Sequence, residues 1–262
     1  MPATPPNADR HGADPRGAEP VSTKAPDLAG PAVISQFWGD LAFLHWRVDP
    51  ALVEPHLPHG VRPDVFDGSS WVGLIPFELS RSAFGPLPPV PYFGRFAETN
   101  VRLYGVGPDG RRSVVFRTLE AAKLVPVLTA RLGLGLPYTW ADMSIVRGGG
   151  TITYDSRRRW PRATTGKPLP RTHVKIRPGS ETVTGDPLAD FLTARWGMHV
   201  GRAGRTRFWP NNHPAWELRS AELLELDDEL LAATGFEGLA SRQPDSVLYS
   251  RGVTTRFAAP TA

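Results

Sequence analysis

Proline and glycine interrupt this chain too often for it to form a helical bundle. There are 28 Pro and 26 Gly among 262 residues, and these residues set turns and break helical hydrogen bonding. Between the interruptions, apolar residues alternate. From Ser35 to Asp49, Phe37, Leu41, Phe43, His45 and Arg47 alternate with Trp38, Ala42, Leu44, Trp46 and Val48. That period of two places successive side chains on opposite faces of a strand. Eight Trp and twelve Phe add to the strand signal.

Further strands are expected over Trp71–Leu79, Glu98–Val106, Ser113–Leu119 and His173–Arg177, with a terminal strand over Ser246–Phe257. Gly148-Gly149-Gly150 joins Met143–Val146 to Thr151–Tyr154 as a hairpin. Helices are expected over Leu119–Leu132, Pro187–Trp196 and Ser220–Thr234, with one turn near Pro50–Pro58. The pattern predicts an α+β fold, a curved and largely antiparallel sheet with a few covering helices. Residues 1–32, rich in Pro, Ala, Gly, Asp and Arg, read as a disordered tail. A single domain is expected over 33–257, with a short tail at 258–262.

Composition narrows the chemistry. No cysteine is present, which removes thiolate nucleophiles, disulfides and Cys-ligated metals. The net charge of +4 comes mainly from scattered Arg, and the cluster Arg157-Arg158-Arg159 reads as a solvated turn, so no nucleic-acid partner is expected. No apolar run is long enough to span a membrane. The expectation is a cytoplasmic protein that binds a small molecule. His45, His56 and His59 lack metal-ligand spacing, and neither a metal nor another cofactor is expected.

The candidate site residues follow from faces and corners. Glu98, Asn100, Arg102 and Tyr104 share one face of a strand, either a salt-bridged solvent face or the polar wall of a cavity. In a dry cavity Glu98 would be an acid or base, and Arg102 would hold an anion or pair with it. Arg131 closes the apolar face of Leu124 and Leu128, where it either clamps a substrate carboxylate or pairs with Glu98 or Glu120. Tyr138, at a Pro corner, would donate to a developing oxyanion or simply pack. His213 precedes Pro214 and is a structural hydrogen-bonder or a base. His45 lines the cavity or sits satisfied in the core. Trp71, Tyr104, Trp216 and Tyr249 wall an apolar pocket or form core.

Several segments together carry a resemblance. They are Asp40–Trp46, Asp67-Gly68 with Trp71-Val72-Gly73, Phe96–Tyr104, Ala130–Tyr138, His213–Leu218 and Tyr249–Val253. In this order they resemble the YqjF-like family of uncharacterised bacterial proteins, similar in fold to acetoacetate decarboxylase. The resemblance implies a pocket inside a curved sheet, often within a homo-oligomer. It matches the family's helix Arg to Arg131, its corner Pro to Pro137 and its strand Glu to Glu98. The lysine pair of the decarboxylases is matched by Tyr138-Thr139, neither of which can form an imine. The chemistry expected is therefore acid–base and free of a Schiff base, such as dehydration, isomerisation, cyclisation or retro-aldol cleavage. The alternatives are a binding protein of the same fold, and a structural protein whose polar cluster is an ion network.

Overall fold

Twelve strands among the described residues form one mixed sheet that closes on itself twice. The computed structural model describes residues 17–91, 94–124, 135–161 and 169–261. The strands are β1 (Ile34–Val48), β2 (Arg62–Pro63), β3 (Ser70–Phe84), β4 (Phe96–Val106), β5 (Arg112–Ala121) and β6 (Tyr138–Gly148). They continue as β7 (Thr151–Trp160), β8 (Arg171–Thr182), β9 (Gly197–Arg202), β10 (Arg205–Asn212), β11 (Leu218–Asp228) and β12 (Ser246–Phe257). Three arcs run between β5 and β12. One is β4–β3–β1, the second β6–β7–β8–β11 and the third β9–β10. Pairing is antiparallel except where β5 meets β6 and β9.

Because the arc β4–β3–β1 lies between the other two, both its faces are covered, and the alternation read in the sequence sorts residues between two cores. Ala42, Leu44, Trp46, Val72, Leu74, Val101 and Leu103 face one way, packing with Tyr154, Val174 and Ile176 of β7 and β8. Leu41, Phe43, Ile75, Phe77 and Leu79 face the other way. That second side also receives a short helix, Pro187–Thr193. Asp186 caps its N-terminus by accepting from the Leu188 and Ala189 amides, and Pro187 supplies a preset φ at the first position. The helix buries Phe191 and Leu192 beside Trp71 and Tyr104.

Three local expectations are corrected. Ser220–Thr234 is not a helix: β11 occupies Leu218–Asp228, and only Leu230–Ala233 is helical. Leu223 and Leu226 pair with Ile176 and Val174 across a bulge, while Glu222 and Glu225 reach Arg177 and Lys175 of the same neighbouring strand. Ladder bonds and cross-strand pairs thereby outweigh the helix propensity of the Glu-Leu run. Leu119–Ala121 likewise ends β5 rather than beginning a helix, since β4 and β6 pair with it on both sides. The remainder of that expected helix, including Arg131, falls in 125–134, outside the described residues. Arg157–Arg159 lies within β7 rather than in a turn. There Arg158 turns inward to Glu120, and Arg159 pairs with Asp142.

Gly149 and Gly150, with φ of 59° and 75°, make the β6–β7 turn at a backbone conformation costly for other residues. Of the stretch read as a tail, residues 17–32 have no helix or strand but are seated on the domain. Ala18 is buried, Glu19 binds Arg112, and the Trp196 indole donates to the Ser22 carbonyl at 2.9 Å. Thr261 exchanges backbone hydrogen bonds with Phe208. No helix among the described residues is long and apolar enough to cross a membrane.

Candidate active site

Between the central arc, the β9–β10 arc and the helix Pro187–Thr193 lies a cavity of about 70 Å³. Its walls are mostly apolar: Leu41, Ile75, Phe77, Leu79, Val114, Leu119 and Phe257. Trp38 and Trp216 stack with centroids 6.4 Å apart and close one side. Against this background the polar groups include Glu98, Asn100 and Arg102 from β4, Tyr138 from β6, Arg195 after the helix, Asn211 from β10 and His213 in the following loop. Apolar walls with a few convergent polar groups are the usual form of a small-molecule site.

The spacing along β4 explains the first three. Residues two apart point to the same face, so Glu98, Asn100 and Arg102 descend one wall opposite Phe77, Ile75 and Gly73 of β3. Glu98 is buried among apolar side chains, and desolvation raises its carboxyl pKa to about 8, although hydrogen bonds from Tyr138 and Asn100 pull the other way. It is therefore a neutral acid at pH 7. The Tyr138 hydroxyl donates to Glu98 Oε2 at 2.9 Å. Burial, then the neighbouring Glu98, push that phenol well above its ordinary range, so it remains the donor.

Arg102 has a different environment. Its Nε donates to the Tyr104 hydroxyl at 2.8 Å, and one terminal nitrogen donates to the Leu192 carbonyl at 3.0 Å. Because arginine can only donate, the Tyr104 hydroxyl accepts from it and donates its own hydrogen bond to His45 Nε2, 2.6 Å away. His45 is neutral, its pKa lowered well below 6.5 by burial and then by Arg102 and Arg195. Among the described residues, no carboxylate lies within ion-pair distance of Arg102. Gly73 makes room for this arrangement: a Cβ there would sit 3.0 Å from His45 Cδ2 and 3.3 Å from Arg102 Cγ.

Arg195, which the sequence reading passed over, pairs with the buried Asp64 and donates from Nε to the Phe191 carbonyl at 2.7 Å. Arg112 shares the same Asp64. The terminal carbonyls of the helix are thus capped by cavity residues, with Arg195 on Phe191, Arg102 on Leu192 and the Trp216 indole on Thr193. A lone Arg in the apolar run Phe191–Met198 was the only sequence signal for this position. His213 donates from Nδ1 to the Pro214 carbonyl at 2.8 Å. Burial lowers its pKa to about 4, so the ring is neutral with Nε2 as acceptor.

The structure thus brings Glu98, Tyr138, Arg102, His213 and Trp216 to one cavity. Tyr104 stands one layer behind it, its ring buried and its hydroxyl between Arg102 and His45. Trp71 is core, covered by the Arg47 guanidinium 5.2 Å from its ring centroid. Tyr249 lies in the opposite core, where its hydroxyl binds Asp40. These three were assigned from strand patterns that identify a face but not which of two cores it meets. Arg131 lies outside the described residues. Glu120, its alternative partner, is engaged by Arg158. Among the described residues no group of His, Asp and Glu could hold a metal ion.

Comparison with known proteins agrees with this architecture. Residues 35–254 match the DUF2071 family, described as an uncharacterized conserved protein. The chain is 28% identical over 219 residues to the uncharacterized protein YqjF of Bacillus subtilis (strain 168), covering 83% of this chain and 86% of that one. Among solved structures, an acetoacetate decarboxylase-like enzyme from Sphingomonas wittichii RW1 superposes with a TM-score of 0.59 at 13% identity, covering 88% of this chain and 93% of the other. Acetoacetate decarboxylase from Legionella pneumophila gives 0.56 at 12% identity, with 90% and 92% covered. The enduracididine biosynthesis enzyme MppR complexed with pyruvate gives 0.54 at 15%, with 90% and 92% covered. A closed mixed sheet that matches these folds, and a family match spanning most of the chain, together establish that this protein belongs to the DUF2071, YqjF-like family and has an acetoacetate decarboxylase-like fold.

Proposed function

We propose that this protein is a small-molecule enzyme in which Glu98 acts as a proton donor on an oxygenated organic acid held by Arg102. The observation that carries the reading is the raised pKa of Glu98, about 8, in a mostly apolar cavity that also holds a guanidinium with no carboxylate partner among the described residues. A carboxylic acid kept neutral at pH 7 can protonate a carbonyl or a leaving hydroxyl, and its conjugate base can then take a proton from carbon. Tyr138, hydrogen-bonded to Glu98, would steady the carboxylate once the proton has left. Dehydration, isomerisation, cyclisation and retro-aldol cleavage all fit that pair.

Schiff-base chemistry fits less well. No lysine is among the described residues that line the cavity, and Tyr138 and Thr139 occupy the corner. MppR, a protein of similar fold, is complexed with pyruvate, in keeping with a small acid as occupant. The test is incubation with a panel of hydroxy and oxo acids in D2O, followed by proton NMR. Turnover or exchange of a carbon-bound proton is expected for the unaltered protein, with a loss of at least about a hundredfold in Glu98→Gln. A ligand retained with neither product nor exchange would replace the enzyme by a binding protein.

A further inference from the structure

Most buried polar atoms find a hydrogen-bond partner, yet among the described residues three on the wall of this cavity carry one that does not. They are Asn100 Oδ1, Arg195 Nη2 and Asn211 Oδ1. Each residue is at least nine-tenths buried. Asn100 neighbours Glu98 on the same face, and its side-chain amide acts on the carboxyl as a donor, in the sense that lowers the acid's pKa. Its carbonyl oxygen is left as an acceptor beside an acid.

Charge is unbalanced in the same place. The Arg102 and Arg195 guanidinium carbons lie 5.4 and 4.9 Å from the centroid of one ring, that of Tyr104. Asp64 is divided between Arg112 and Arg195, and Glu98 is neutral at pH 7. Two like charges in a partly desolvated wall repel, and half-buried Arg102 has no carboxylate partner among the described residues. An anion at the Arg102 end offsets both effects. One residue pair along β4 spans about 6.6 Å, so an anion at Arg102 places the atoms two or three bonds away from it beside Asn100.

We infer, on the reading of this cavity as the ligand site, that its occupant is a hydroxy acid whose carboxylate binds Arg102 and Arg195 and whose hydroxyl donates to Asn100 Oδ1. A hydroxyl there also lies next to the Glu98 carboxyl, which shares the Asn100 amide. The hydroxyl is what separates this occupant from a plain carboxylate or a ketone, neither of which can donate to Asn100.

The experiment is calorimetric titration of the full chain at pH 7 with 3-hydroxybutyrate and, separately, butyrate. The hydroxy acid is expected to bind about tenfold more tightly, the worth of a hydrogen bond to an otherwise unpaired buried acceptor. Asn100→Ala should bring the two acids within about twofold, and Arg102→Met should weaken both by at least about tenfold. The comparison on the unaltered protein needs no variant to fold. Equal affinities there, no binding of either acid, or discrimination that survives Asn100→Ala would overturn the inference. Discriminating binding without deuterium exchange would remove the enzymatic proposal and leave this one standing. Glu98-dependent turnover of a compound lacking the hydroxyl or the carboxylate would do the reverse.

Discussion

The Tyr138 hydroxyl donates to Glu98 Oε2 across 2.9 Å, joining the first residue of β6 to β4 inside the cavity. The bond favours the ionised carboxyl, yet burial outweighs it and leaves the Glu98 pKa near 8. Carbon-13 NMR of labelled glutamate should therefore show one side chain titrating near pH 8. In Tyr138→Phe that midpoint should rise by about half to one unit, because a hydrogen bond to the charged form is lost. A midpoint below 6 in the unaltered protein would remove the neutral acid.

The same shift links stability to pH. The folded pKa of Glu98, about 8, exceeds the unfolded value of 4.5, so between these values the folded state holds more protons. Its contribution is fully present below pH 4.5 and is lost as pH rises towards 8, at about 1.4 kcal/mol per unit. Glu98→Gln removes that slope. Urea denaturation should find the variant more stable than the parent at pH 8.5 and similar at pH 4.5; parallel curves would contradict the assignment.

His213 and His199 act in the opposite sense. Burial holds both near a pKa of 4 against 6.5 when unfolded, so their contribution is complete above pH 6.5 and is lost as pH falls through 4. His213→Gln should flatten the acid side of the stability profile between these limits. An unchanged acid slope would place a protonated ring at position 213.

Asp64 is fully buried between Arg112 and Arg195. Asp64→Asn strands two guanidiniums and should cost about 3–5 kcal/mol in denaturant unfolding. Adding Arg195→Met to that variant should recover part of the loss. A penalty below about 1 kcal/mol would mean that solvent already screens the cluster.

Gly73→Ala tests how tightly Arg102 is positioned. The added methyl would press on His45 and on the Arg102 stem, with a stability cost of about 1–3 kcal/mol for overpacking. Carboxylate affinity should fall along with it. Retention of full affinity would show that Arg102 is free to reposition.

How much could be read beforehand follows from the physics of each signal. Alternation placed β1, β4, β5 and β12 nearly to their ends, located β3 although it runs on to Phe84, and put Glu98, Asn100 and Arg102 on one face, because a strand's period depends on the backbone alone. Turn chemistry located the Gly148–Gly150 hairpin for the same local reason. Propensity failed over Leu218–Asp228, where the ladder to β8 and the cross-strand Glu–Arg and Glu–Lys pairs decide the outcome. Nothing in the amino-acid order could show that Arg195 and Asn211 meet β4, or that Trp71 and Tyr249 go to other neighbourhoods, since those contacts join residues from separate elements of the chain. The sequence determined which faces are apolar and which carry charge. Only the closing of the sheet through β5 and β12 decided which face encloses the cavity, and burial there turned Glu98 from a carboxylate into an acid.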